Sequence, residues 1–163
     1  MDEAIEEQKD LLAEFEKVAD ELNTLLANLE GSTLVKRLKA MSREQNQIAE
    51  QIGERIDSVF GDRSPDEKED REALAALADV ESGTTQKVSY IMDDMQSYFE
   101  RRKMAQFQVV LNEMRDSDVI DALTTLSKDI PKEQGMSIAQ AEFWSDNFDR
   151  WADDLVDPAS GGM

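Results

Sequence analysis

Two apolar stripes separated by one glycine constrain this chain more than any other feature of it. Before Gly31, the residues Leu11, Phe15, Val18, Leu22, Leu25 and Leu29 follow one another at alternating spacings of four and three. After it, Leu34, Leu38, Met41, Gln45, Ile48, Ile52, Arg55 and Val59 do the same. Such spacing places each set on one face of a helix with a period near 3.5 residues, and each face needs another helix to cover it. Gly31 can take the left-handed conformation that ends a helix, and Ser32 or Thr33 can cap the next. The expected unit is therefore an antiparallel helical hairpin over residues 3–60, with Leu11–Val59 as its seam and Gly31 at its turn.

Folding at Gly31 would bring together residues whose numbers sum to about 63. Leu25 would then meet Leu38 and Phe15 would meet Ile48, with Arg43 near Asp20 and Glu21 and Arg55 near Glu7 and Asp10. Exposed ion pairs contribute only about 0–1 kcal/mol each, so the apolar seam, at roughly 1.5–3 kcal/mol per buried side chain, would decide the fold. Gln45 and Arg55 interrupt the second stripe. They read as polar positions at the edge of the seam, or as a polar contact between helices that sets register.

Beyond the hairpin the pattern stays helical. Ser64, Pro65 and Glu67 form a capped helix start after Gly61, and the alanine-rich run Ala73–Ala78 allows close helix contact. Gly83 marks a plausible break between this helix and one from about Thr85 to Arg115, whose apolar face includes Met92, Met95 and Phe99. Asp116 to Asp118 introduce a short helix, Val119 to Ile130, which Pro131 stops. In the last helix, from Ile138 to about Val156, Ala141, Trp144, Phe148, Trp151 and Leu155 form one aromatic stripe. The expected class is all-α: a helical hairpin extended into an elongated bundle of about five helices, one domain over residues 1–157. Pro158–Met163 read as a flexible tail or a cut linker.

Composition excludes more chemistry than it supports. The chain has no cysteine and no histidine, which removes disulfides, thiolate ligands, thiol nucleophiles, the usual general base and the Glu-x-x-His pairs of di-iron bundles. With 37 acidic residues against 18 basic ones, the net charge is −19, which repels phosphate backbones. The run from Asp62 to Asp70 fails as a calcium loop, with Glu67 where glycine belongs and Ala73 where the closing glutamate belongs. No phosphate-cradling glycine loop, dinucleotide fingerprint or nucleophile elbow occurs. No apolar run approaches the roughly 18 residues of a membrane span.

Two stretches, Gly31–Lys39 and Ser137–Asp157, resemble helical segments of large uncharacterised bacterial proteins. The resemblance implies helix and a longer parent chain, and it brings no activity or cofactor with it. The expected role is a non-enzymatic helical scaffold or protein-interaction module, without cofactor or metal, whose partner is another protein or the remainder of a larger chain. Homo-oligomerisation through the helical stripes is a further expectation, and the compartment stays unassigned. The alternative is a small-ligand-sensing bundle. Trp144, Phe148 and Trp151, with Met92, Met95 and Phe99, are the candidate contacts for a partner or ligand. A methionine or aromatic stripe at helical spacing is nonetheless more often core, and aromatics on one face with acids on the other give the last helix the pattern of one docked on the bundle.

Overall fold

The computed structural model describes residues 2–60 and 67–156. The turn expected at Gly61–Pro65, the side chain of Val59 and the tail at Pro158–Met163 lie outside the described residues. The architecture is all-α, with five helices and no strand among the described residues. They are α1 (Asp2–Phe60), α2 (Glu67–Arg102), α3 (Ala105–Asp116), α4 (Val119–Asp129) and α5 (Gln134–Leu155).

The hairpin expected at Gly31 does not form. α1 runs unbroken for 59 residues through Gly31, which keeps a helical backbone with negative φ. The difference has a physical cause. From Leu29 to Leu34 the apolar register advances by five residues, or about 140° around the helix. That shift moves the stripe to another face of the same helix, whereas the hairpin reading took it for a reversal of direction. Arg43 therefore lies roughly 34 Å along the same rod from Asp20, instead of beside it. Gly83 does not break its helix either, since α2 passes through it. A single interior glycine costs only about 1 kcal/mol against alanine, less than continuous packing on either side supplies.

The break occurs instead at Lys103, which no sequence signal marked. Its φ of 55° lies in the left-handed region, and α3 starts after the extended Met104. Lys103 N–H donates to the Phe99 carbonyl at 2.7 Å, and its ammonium lies 5.4 Å from the Phe99 ring centre. Asp118 also takes a left-handed φ, of 51°, between α3 and α4. The short helix before Pro131 forms much as expected, but the last helix begins earlier, at Gln134, with Gly135 inside its first turn.

Only the second half of α1 belongs to the bundle. From Leu34 to Ile52 its stripe is buried between two antiparallel partners. On one side lies α2, with Arg55 paired to Asp70, Gln45 to Glu81 and Arg37 to Asp94. On the other lies α5, where Ser42 and Ser145 bring their hydroxyl oxygens to 3.0 Å and Lys39 reaches Asp149 and Asp153. Small residues at Ser42, Ala49, Ser145 and Ala152, all buried, let these two helices approach closely. Packed around this pair are Phe107 and Met114 of α3 and Leu123 of α4.

Candidate functional site

Every residue from 2 to 26 is exposed. The first buried residue of α1 is Ala27, so the N-terminal half of the helix projects from the bundle as an arm. It needs no nucleation of its own, because it extends a helix already held by packing. The arm carries the first apolar stripe into solvent. Phe15 is 66% exposed, Leu25 65%, Val18 60%, Leu11 55% and Leu22 54%. Ile5, Leu12 and Leu26 add a flanking column at a seven-residue spacing and are exposed too. Together with Leu29 these nine side chains expose on the order of 900 Å2, beyond the roughly 300–600 Å2 of the largest patch on an ordinary monomer.

The point of departure is fixed by Tyr98 of α2. Its hydroxyl donates to the Ala27 carbonyl at 2.8 Å, and its ring packs 4.6 Å from that of Phe107. Burial pushes the Tyr98 phenol above its ordinary pKa, so the hydroxyl stays protonated and able to donate. Gly31 sits directly beneath: a Cβ there would stand 3.0 Å from the Tyr98 hydroxyl oxygen. The glycine read as a turn is thus a point of close approach. Beside it, α1 and α2 enclose a groove of about 300 Å3 that includes Leu34, Ser97 and Tyr98 in its lining. Arg37 and Arg101 at its rim are paired with Asp94 and Glu30.

Inside the bundle one polar cluster replaces apolar packing. Gln45 and Glu81 are both fully buried, and the Gln45 amide donates to the two carboxyl oxygens of Glu81 at 2.8 and 2.9 Å. Burial raises the Glu81 pKa from 4.5 to about 7; the Gln45 hydrogen bond opposes the rise and the neighbouring Glu44 charge adds to it. Glu44 in turn accepts from Thr84 at 2.8 Å and pairs with Lys87 at 2.6 Å. Gln45 is therefore a polar contact between helices at the centre of the seam. A carboxyl that titrates near neutrality can serve acid–base chemistry, but only beside a space where substrate can sit. Glu81 has no such space, since its side chain is wholly buried.

The residues singled out from sequence are used by the fold. Trp144, Phe148, Trp151 and Met95 are at most 4% exposed, while Met92 and Phe99 pack partly buried against the core. Trp151 donates its indole N–H to Glu113 at 3.0 Å, beneath Arg150. The two tryptophans lie 6.2 Å apart, centre to centre. Met92, Met95 and Phe99 belong to α2 and the tryptophans to α5, and none of them lines the α1–α2 groove. The surface that does stay open was visible as the Leu11–Leu29 stripe, but the hairpin reading covered it.

Among the described residues, no group of three or more carboxylates is placed to hold a metal ion, and no helix is long and apolar enough to cross a membrane. No protein-family model matches the chain, and neither a characterised protein nor a solved structure resembles it significantly.

Proposed function

We propose that this chain is a non-enzymatic helical interaction module: a bundle that anchors and orients a 25-residue helical arm for a protein partner. The observation that carries this reading is the arm itself, whose leucine and phenylalanine stripe lies open to water along its length. Its apolar area matches the roughly 800 Å2 that each partner contributes to an interface of standard size. The absence of histidine and cysteine, and the enclosure of Glu81, favour binding over catalysis.

A photo-crosslinking residue placed at Leu22, on the stripe, or at Ala13, on the opposite face, tests the reading in the cells that make the protein. Discrete protein adducts from Leu22 and none from Ala13 are expected. Equal yields at both positions, or none at either, would count against the arm as an interaction surface.

A second reading, a small-ligand sensor, has support from the α1–α2 groove beside Tyr98. It expects a stabilising ligand in a thermal-unfolding panel, with about 2.7 kcal/mol gained at 100 times the dissociation constant.

A further inference from the structure

The arm's charges are as regular as its apolar residues. Gln8, Phe15, Leu22 and Leu29 form one column at seven-residue spacing, Ala4, Leu11, Val18 and Leu25 a second, and Ile5, Leu12, Ala19 and Leu26 a third. Along the other edge of the stripe runs a fourth column: Glu7, Glu14 and Glu21. In a helix pair these flanking positions face the partner's flanks and select it by charge. Residues 2–26 hold nine acidic residues and two lysines, a net charge of −7. None of the ion pairs among the described residues involves this segment, so its charge is uncompensated within the fold.

A second copy of the arm is a poor occupant. Laid antiparallel, it would place the glutamate column against its own copy. Laid parallel, it would place Glu7 and Glu21 against Leu12 and Leu26 of the second copy, with no ion pair to set the orientation. Either way a charge of −7 would meet −7. A partner with lysine or arginine along that edge satisfies both the apolar columns and the glutamates.

We propose that the projecting half of α1 is the docking face for a cationic amphipathic helix of another protein, seated on the apolar columns and oriented by Glu7, Glu14 and Glu21. The usable face from Ile5 to Leu26 is roughly 32 Å long, so the occupant is a helix of about six turns. This proposal rests on the reading of the arm as an interaction surface.

The test uses the full chain and three fluorescent peptides of about 28 residues, followed by anisotropy. The first has leucine at the core positions and lysine on both flanks. The second keeps the leucines and has glutamate on the flanks, and the third is a scrambled version of the first. The lysine-flanked peptide should bind saturably and at least tenfold more tightly than either other. Leu22→Asp should abolish that binding, and Glu7→Lys/Glu14→Lys/Glu21→Lys should reverse the preference toward the glutamate-flanked peptide. Equal binding of the scrambled peptide would reduce the effect to bulk charge attraction and overturn the proposal. Equal binding of both leucine peptides would also overturn it, leaving an interaction surface that does not read charge. Sedimentation equilibrium closes the remaining route. Self-association dispersed by Leu22→Asp would assign the face to a second copy, whereas a monomeric chain that binds none of the peptides would overturn this proposal and the functional reading together.

Discussion

Tyr98 donates its hydroxyl hydrogen to the Ala27 carbonyl at 2.8 Å, and that bond marks where α1 leaves the bundle. On one side of it the helix is buried between α2 and α5; on the other it is exposed along its whole circumference. One helix therefore holds an anchor and an arm, and the contact that separates them is contributed by a different helix.

The rod predicts a long distance where a hairpin predicts a short one. Lys17 and Asn46 are both exposed and would be opposite each other in a hairpin. With spin labels at these two sites, a separation of about 44 Å is expected, from 29 residues at about 1.5 Å each. A distance near helix-contact range would refute the continuous α1.

Removing the arm should cost the bundle little. Residues 2–22 are exposed throughout, and the Tyr98–Ala27 bond lies beyond them. A chain lacking residues 2–22 should keep its midpoint of thermal unfolding to within about 2 °C, because a shift of about 2–4 °C already corresponds to about 1 kcal/mol in a chain of this size. A larger loss would mean that the arm packs on the bundle.

The interior glycines should respond differently to alanine. Nothing lies within 4 Å of a Cβ built at Gly53 or Gly83, so Gly53→Ala and Gly83→Ala should each stabilise by about 0.5–1 kcal/mol. At Gly31 the same methyl group meets the Tyr98 hydroxyl at 3.0 Å, and the hydrogen bond to Ala27 resists its displacement. Gly31→Ala should therefore gain nothing or lose stability, as denaturant titration of the three variants would show.

Glu81 makes stability fall with rising pH. Below 4.5 the carboxyl is protonated in both states; above that the unfolded chain ionises, while the folded chain holds its proton until about pH 7. The native state then binds more protons, so stability is lost between pH 4.5 and 7 and levels off above, by at most about 3 kcal/mol. Glu81→Gln cannot ionise and keeps a polar partner for Gln45. It should match the parent near pH 4 and exceed it at pH 8; a constant difference across that range would assign the loss to another group.

Both tryptophans should report a docked α5. Trp151 is 1% exposed and Trp144 4%, so their emission should be blue-shifted in the native protein and move red on unfolding. Replacing either with alanine should cost about 3–5 kcal/mol. Neutral variants with red-shifted native emission would mean that α5 is not packed on α1.

Sequence alone determined that the chain is helical, where most of its apolar faces lie, and that it lacks the side chains of common catalytic sites. These properties are local: a period near 3.5 residues and an absent residue type need no tertiary contact to be read. The aromatic stripe of α5 was correctly legible as packing for the same reason, since Trp144, Phe148 and Trp151 repeat on one face. What covers a face is not local. Leu22 and Leu38 have equivalent patterns around them, yet Leu38 is fully buried and Leu22 is 54% exposed. The difference arises because α2 returns along α1 only as far as Ala27, where the left-handed turn at Lys103 redirects the chain into α3. Tertiary structure also decided the meaning of Gly31, which gives room to Tyr98 from 67 residues away. An apolar stripe states that a helix needs a cover; only the path of the other helices decides whether this chain supplies it or leaves it for a partner.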